Sequence, residues 1–168
     1  MKPLVSVKEL MKYMIDPASD YIFDSVKTLV RPDGSVVEIA PKTDEDWEKL
    51  RIGAVTMAEG VYLLKVQRPL TPAGDVNNSV GPDATELSPT EIAAKISKDP
   101  VEWNARIEAL RNVGLEVLEI VKKKDTNALW QAGGDLDEAC EACHLEYWYP
   151  GDKATVLAEK KFKARIDK

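Results

Sequence analysis

Apolar residues recur three and four positions apart over most of this chain, and that spacing predicts amphipathic helices. The first apolar stripe lies near the N-terminus, and its members are Val7, Leu10, Met11, Met14 and Ile15. Asp16-Pro17 interrupts the pattern, which then resumes at Ala18, Ile22, Val26 and Leu29. Because proline lacks an N–H and crowds the preceding turn, Pro17 either kinks one long helix or separates two short ones.

Capping signals predict where the later helices begin. A second helix starts near Thr43, where three acidic residues follow and suit the positive end of a helix. Ser88-Pro89-Thr90-Glu91 is a capping box with proline at the first helical position, and it predicts a short helix to about Lys98. Asp99 caps a third long helix, and Asp125 or Thr126 starts the fourth.

Each of the later long helices carries one apolar line. In the second helix this line is Trp47, Leu50, Ala54, Met57, Val61 and Leu64. In the third helix it is Trp103, Ile107, Leu110, Gly114, Val117 and Val121. In the fourth helix it is Leu129, Ala132, Leu136, Ala139, Cys140, Cys143 and Tyr147. Four long amphipathic helices with connections of varied length predict an all-α fold, namely a four-helix bundle.

The connecting segments carry turn residues. Residues 31–42 hold turn signals, residues 68–87 form a loop, and Pro150-Gly151 ends the last helix. No segment has a convincing strand pattern. Gly133-Gly134 lies inside the fourth helix, where each glycine costs roughly 1 kcal/mol of helix stability relative to alanine. This cost indicates a local break or a close approach by backbone or cofactor. We expect the bundle to span residues 1–150, with a tail over 151–168.

Charge narrows the classes of partner. The chain has 168 residues and a net charge of −6, which disfavours nucleic acid because phosphate backbones need a basic face. No stretch approaches the roughly 18–20 consecutive apolar residues of a membrane span. The segment from Pro150 onward contains six basic residues and three acidic ones. This basic tail is either a solvated end or a docking element for an acidic partner.

Both cysteines and the only histidine of the chain fall within Cys140-Glu141-Ala142-Cys143-His144. This is the C-x-x-C-H signature of covalent haem c attachment. Each thiol adds to one vinyl group of the porphyrin, and cysteines three apart on a helix lie on one face. His144 follows directly and is expected to be an axial ligand of the iron. We therefore expect one covalent haem c per chain.

Three other interpretations of the motif are less favoured. A structural zinc site needs about four ligands, and the chain offers only three cysteine and histidine side chains, with carboxylates as the fourth. A redox-active dithiol would accompany a βαβ pattern, which is not found. A disulfide between cysteines this close on one helix would constrain little.

A four-helix bundle with C-x-x-C-H near its C-terminal end resembles the cytochrome c-prime family, the class II cytochromes c. The resemblance covers roughly residues 5–149 and is anchored on Cys140 to His144, with Tyr147 following on the same helix. Val7 to Met11 with Asp16-Pro17, and Ala40 to Thr43 leading to Trp47, also look like this family. The 68–98 segment and the tail after Pro150 are longer than the family pattern needs.

The family divides into two types, which the resemblance carries over as alternatives. In one type the iron position opposite the histidine is open, and NO or CO binds there. In the other a methionine from the first helix binds the iron. Met11 and Met14 are the candidates because both lie on the inward stripe, and Met11 is favoured because it matches the family-like Glu-Leu-Met segment. Both are otherwise gap-filling core residues. Tyr147 is expected to pack beside the porphyrin.

The function expected from these features is electron transfer with redox partner proteins. No enzyme is expected, since the lone histidine is committed to iron and no other residue clearly serves as a general base. The alternatives are a gas-binding haem protein and an interaction domain with a structural haem. The N-terminal residues do not resemble a signal peptide, and haem c is attached outside the bacterial cytoplasm, so we expect a periplasmic protein whose signal has been removed. The resemblance also implies a homodimer.

Overall fold

The computed structural model describes residues 2–75 and 85–154, and in these ranges the protein is mostly helical, as the apolar spacing predicts. The helices are α1 (Val7–Leu10), α2 (Asp16–Phe23), α3 (Asp44–Gly60), α4 (Pro89–Lys98), α5 (Pro100–Lys123) and α6 (Thr126–Tyr147). Among the described residues, no helix combines the length and apolar character needed to cross a membrane. Residues 76–84 of the predicted loop and 155–168 of the predicted tail lie outside the described ranges.

The predicted helix starts are confirmed. Thr43 caps α3 and Ser88 caps α4, each in a capping box with the acidic residue three positions later. The side chain of Asp99 caps α5 and that of Asp125 caps α6. These side chains accept from N–H groups that have no partner inside the helix, so local chemistry alone fixes the four starts.

The helices pack in a closed order around the apolar core. α2 packs on α3, α3 on α5 and α5 on α6, while α6 also contacts α2. The apolar lines predicted for α3 and α5 are buried throughout. α4 contacts both α5 and α6, and its Ile92 joins the same core. The segment between α3 and α5 therefore packs against the helix that carries both cysteines.

Pro17 does not divide the first helix, because a π-helical turn at Met11–Ile15 joins α1 to α2 without a break. The Asp16 N–H reaches back five residues to the Met11 carbonyl. An α-helical turn would bring the Pro17 ring against the Tyr13 carbonyl, and the wider π turn relieves that crowding. The wider turn also suits Leu10 and Ile15, which are five residues apart and both buried.

A small antiparallel hairpin corrects the prediction that the chain holds no strand. β1 (Lys27–Val30) pairs with β2 (Val36–Ile39), and Gly34 in the turn has φ of +80°. Leu29, assigned to the helical stripe, lies in β1 and is 44% exposed. Two four-residue strands that contribute little to the core give too short a pattern to separate from a turn-rich loop.

Glycines allow close contact between helices on one side of the core. A Cβ at Gly114 of α5 would lie 2.7 Å from the Ala58 backbone nitrogen of α3.

By contrast, α6 runs without interruption through Gly133 and Gly134, so the predicted local break is wrong. A Cβ at either glycine would meet no described atom within 4 Å. The alternative of a close approach by cofactor stays a prediction.

Gly114→Ala should destabilise the protein. The added Cβ meets backbone, which cannot rotate away, so an overpacking cost of about 1–3 kcal/mol outweighs the helix-propensity gain of about 1 kcal/mol. We expect the free energy of unfolding in urea to fall by up to about 2 kcal/mol, the difference between the two effects. The matched control is Gly134→Ala in α6, which should raise it by up to about 1 kcal/mol because the site is open. Equal changes in both variants would contradict the close approach.

Candidate functional site

Cys140, Cys143 and His144 all lie in the C-terminal part of α6. The two thiols are free, half-buried and packed against the core. Because they are three residues apart on a continuous helix, they lie on one face. The structure thus confirms the helical placement on which the motif argument depends, and no disulfide joins the two thiols.

The thiols are neutral at neutral pH. Burial is the main factor that raises the pKa of Cys140 to about 11, and the carboxylates of Asp137 and Asp16 add to it. Burial also raises the pKa of Cys143 to about 12, against an opposing effect of the Arg106 guanidinium of α5. Since Asp16 belongs to α2, these interactions place the cysteines between the first helix and α5.

His144 is held by packing. Its ring centroid lies 5.1 Å from that of Trp148 in an edge-on arrangement and 5.9 Å from that of Tyr149. Burial lowers the pKa of His144, so the imidazole is neutral at neutral pH. Among the described residues, neither ring nitrogen has a hydrogen-bond partner. A neutral imidazole suits a metal ligand, which must offer a nitrogen lone pair, and no hydrogen bond to the described residues occupies that lone pair.

The chain folds back on itself directly after the motif. The backbone N–H groups of Trp148 and Tyr149 both donate to the His144 carbonyl, at 2.7 and 3.0 Å. The Tyr149 hydroxyl donates to Glu141 at 2.9 Å. Burial, followed by this hydrogen bond, raises the pKa of Tyr149. Both aromatic residues are therefore held beside the imidazole by backbone hydrogen bonds, and Tyr149 is also held by a side-chain hydrogen bond.

The indole N–H of Trp148 is buried and has no hydrogen-bond partner in the part of the chain that the structure describes. A buried donor left unpaired costs about 1–3 kcal/mol, so such groups are rare in native proteins. This donor belongs to the ring that packs on His144. A cofactor with acceptor groups bound next to His144 would satisfy it, and haem carries two carboxylates.

α4 secures the end of α6. Lys95 donates to the Glu146 carbonyl and pairs with its carboxylate, both at 2.5 Å. The Lys95 ammonium also lies 5.7 Å from the ring centre of Tyr147. Tyr147, expected beside a porphyrin, is buried and packs edge-on against Trp103 of α5 at 4.9 Å.

Met11 and Met14 both lie in the π-helical turn, where both are half-buried against the core. A Cβ at Gly60 would meet the Met14 methyl at 2.2 Å, so the thioether of Met14 lies against the end of α3. Asp16, which follows this turn, interacts electrostatically with Cys140 and His144. The structure thus brings the start of α2 to the motif and directs Met14 toward α3.

Four residues beside the motif were not predicted from the sequence, namely Glu141, Trp148, Tyr149 and Lys95. Glu141 occupies a variable position of the motif, and its role depends on a tyrosine eight residues later. The run Tyr147-Trp148-Tyr149-Pro150 was the available signal, since three aromatics before a helix-ending proline place rings beside the last turn. Nothing in the sequence near Lys95 points to Glu146.

A cavity of about 600 Å³ lies elsewhere, between α2, the hairpin and the start of α3. No residue of the motif lines it. Within residues 2–75 and 85–154, no group of three histidine, cysteine or acidic side chains is arranged to hold a metal ion.

Comparison with family models, curated proteins and solved structures finds no match to the chain.

Raised thiol pKa values predict that the haem-free chain loses stability in alkali. In the unfolded chain the thiols ionise near pH 9, whereas the folded chain holds their protons to about pH 11 for Cys140 and about pH 12 for Cys143. Between these limits the unfolded state binds fewer protons, so the thiols make the free energy of unfolding decrease as pH rises, and they have no effect on it well below pH 9. Urea unfolding, monitored by circular dichroism as a function of pH, measures this free energy of unfolding.

Cys140→Ala with Cys143→Ala is the control for this experiment. Lysines and tyrosines titrate in the same range, and the control retains them while removing the thiols. We expect the decrease with pH to be shallower in the control. Parallel pH profiles would show that burial does not hold the thiol protons.

Proposed function

We propose that this protein is a periplasmic c-type cytochrome with one haem, which transfers electrons between redox partner proteins. In this proposal the first helix, α3, α5 and α6 form a four-helix bundle, which accords with their closed order of contacts. The observation that carries the proposal is the C-x-x-C-H motif on one helix, with both thiols free and half-buried beside a neutral histidine.

Cys140 and Cys143 would hold the haem through thioether bonds, and His144 would bind its iron. The haem supplies a one-electron couple between ferric and ferrous iron when it is bound. Each thiol is neutral and unpaired, as addition to a vinyl group requires a free sulfur. The residues around the motif thus suit the group, and the unpaired indole N–H of Trp148 provides a donor for a carboxylate.

The protein orients His144 through its neighbours. Trp148 and Tyr149 limit rotation of the imidazole, and Lys95 secures the last turn of α6. Burial keeps the imidazole neutral, so the nitrogen lone pair is available without loss of a proton. A redox centre built on a fixed ligand and a packed helix changes little between oxidation states, which suits electron transfer.

We propose that Met11 would be the second residue of the chain to bind the haem iron. Met11 is half-buried in a π-helical turn, and π turns inside helices are frequent at functional sites. Met14 packs against Gly60 of α3, and this contact supports Met11 rather than Met14 as the thioether that would bind the iron. A thioether ligand in addition to histidine would raise the redox potential of the haem.

Covalent attachment is tested by mass. The denatured protein should weigh about one haem more than the 18.6 kDa polypeptide, and its colour should survive acid–acetone extraction. Cys140→Ser together with Cys143→Ser should abolish attachment, because no other cysteine exists in the chain. Haem that extracts from the wild-type protein, or a mass equal to the bare chain, would refute the proposal.

Met11→Ala should convert a low-spin spectrum to a high-spin one that changes on addition of CO, and it should lower the redox potential. Met14→Ala is the matched control, since it shortens a methionine of the same turn, and it should leave the spin state unchanged. A spectrum that responds to Met14→Ala alone would reassign the ligand. A wild-type protein that is already high-spin and binds CO would favour gas binding.

A further inference from the structure

Glu141 and His144 are neighbours on α6, since residues three apart on a helix lie on the same face. The carboxylate of Glu141 is therefore within reach of the imidazole. In the structure it accepts a hydrogen bond from the Tyr149 hydroxyl instead, at 2.9 Å. The Tyr149 ring itself packs 5.9 Å from the imidazole. Glu141 and Tyr149 thus both lie beside His144, and the Tyr149 hydroxyl binds the Glu141 carboxylate.

Tyr149 is well fixed in this position. Its backbone N–H donates to the His144 carbonyl at 3.0 Å, and its ring packs against Trp148 with centroids 5.2 Å apart. Pro150 follows and begins a 3-10 turn, which limits the backbone on the other side. The hydroxyl is therefore directed at Glu141 by contacts that do not involve Glu141.

Hydrogen bonding to a ligating histidine tunes the metal that it binds. Such a histidine usually gives its second N–H to a carboxylate, a carbonyl or water, and a carboxylate raises the basicity of the ligand. A more basic imidazole stabilises ferric over ferrous iron and lowers the redox potential. Among the described residues, His144 makes no such bond.

We infer that Tyr149 is a positioning residue that keeps the Glu141 carboxylate from accepting a hydrogen bond from His144. This inference rests on the proposed ligation of haem iron by His144. Tyr149 thereby holds His144 as a weakly basic ligand and keeps the redox potential high. The residue acts through Glu141, and its own ring remains part of the packing around the imidazole.

The test is Tyr149→Phe in the haem-loaded protein, with the redox potential measured by spectroelectrochemistry. Phenylalanine keeps the ring and removes the hydroxyl donor, which frees Glu141 to accept from His144. At a fixed applied potential the ratio of ferric to ferrous protein should rise on the order of ten-fold. This change corresponds to a decrease of about 59 mV in the redox potential of a one-electron couple. An unchanged potential overturns the inference.

Glu141→Gln identifies the group that Tyr149 controls. The amide lacks the negative charge, so it cannot raise the basicity of His144 as a carboxylate does. We expect Tyr149→Phe to shift the potential much less in the Glu141→Gln background than in the wild-type background. Equal shifts in the two backgrounds would show that Tyr149 acts independently of Glu141, which overturns the inference.

Tyr62→Phe is the matched control. The Tyr62 hydroxyl donates to Glu108 at 2.9 Å, so this variant also loses one tyrosine–glutamate hydrogen bond, between α5 and the 3-10 turn that follows α3. The urea midpoints of the two variants should fall by similar amounts, whereas only Tyr149→Phe should shift the potential. Equal potential shifts in both variants would overturn the inference.

Failure of the proposed function is recognised separately. Mass spectrometry of the same preparations shows whether haem is covalently attached. A wild-type protein without attached haem overturns the proposed function and the inference together. If haem is attached but Tyr149→Phe leaves the redox potential unchanged, only the inference is overturned.

Discussion

The close packing of α3 against its two neighbours sets the geometry on which the rest of the structure depends. Gly114 lets the α5 backbone approach Ala58, and Gly53 of α3 lies against the Ala18 carbonyl of α2, where a Cβ would be 2.7 Å away. Side chains at these points would separate the helices. Because α6 packs on α5 and contacts α2, the position of the cysteine motif follows from the spacing of these three helices.

Much of the fold could be predicted from the sequence because its information is local. Thr43, Ser88, Asp99 and Asp125 each cap a helix within three residues of themselves, and the apolar lines repeat within each helix. The candidate site was equally local, since Cys140 to His144 are contiguous. The fold class predicted as all-α is correct in its main part, and the added hairpin is a minor element at its edge.

The features that escaped prediction depend on contacts between distant residues or on competing local effects. Lys95 meets Glu146 only because α4 packs beside α6, and no spacing rule connects residues 51 positions apart. The π-helical turn reflects a balance between the Pro17 ring, which crowds an α-helical turn, and the burial of Leu10 and Ile15. Apolar spacing alone could not decide between a kink and a division there.

The attachment of the last turn of α6 to an earlier part of the chain has a consequence for local unfolding. Leu87 donates to the Trp148 carbonyl, Gly151 donates to the Thr85 carbonyl, and Lys95 binds Glu146. A helix end normally frays by itself, because its last carbonyls lack partners within the helix. Here fraying must also break these bonds to residues 85–95, so opening the end of α6 costs more free energy, and its amide hydrogens should exchange with solvent more slowly than those of an unattached helix end.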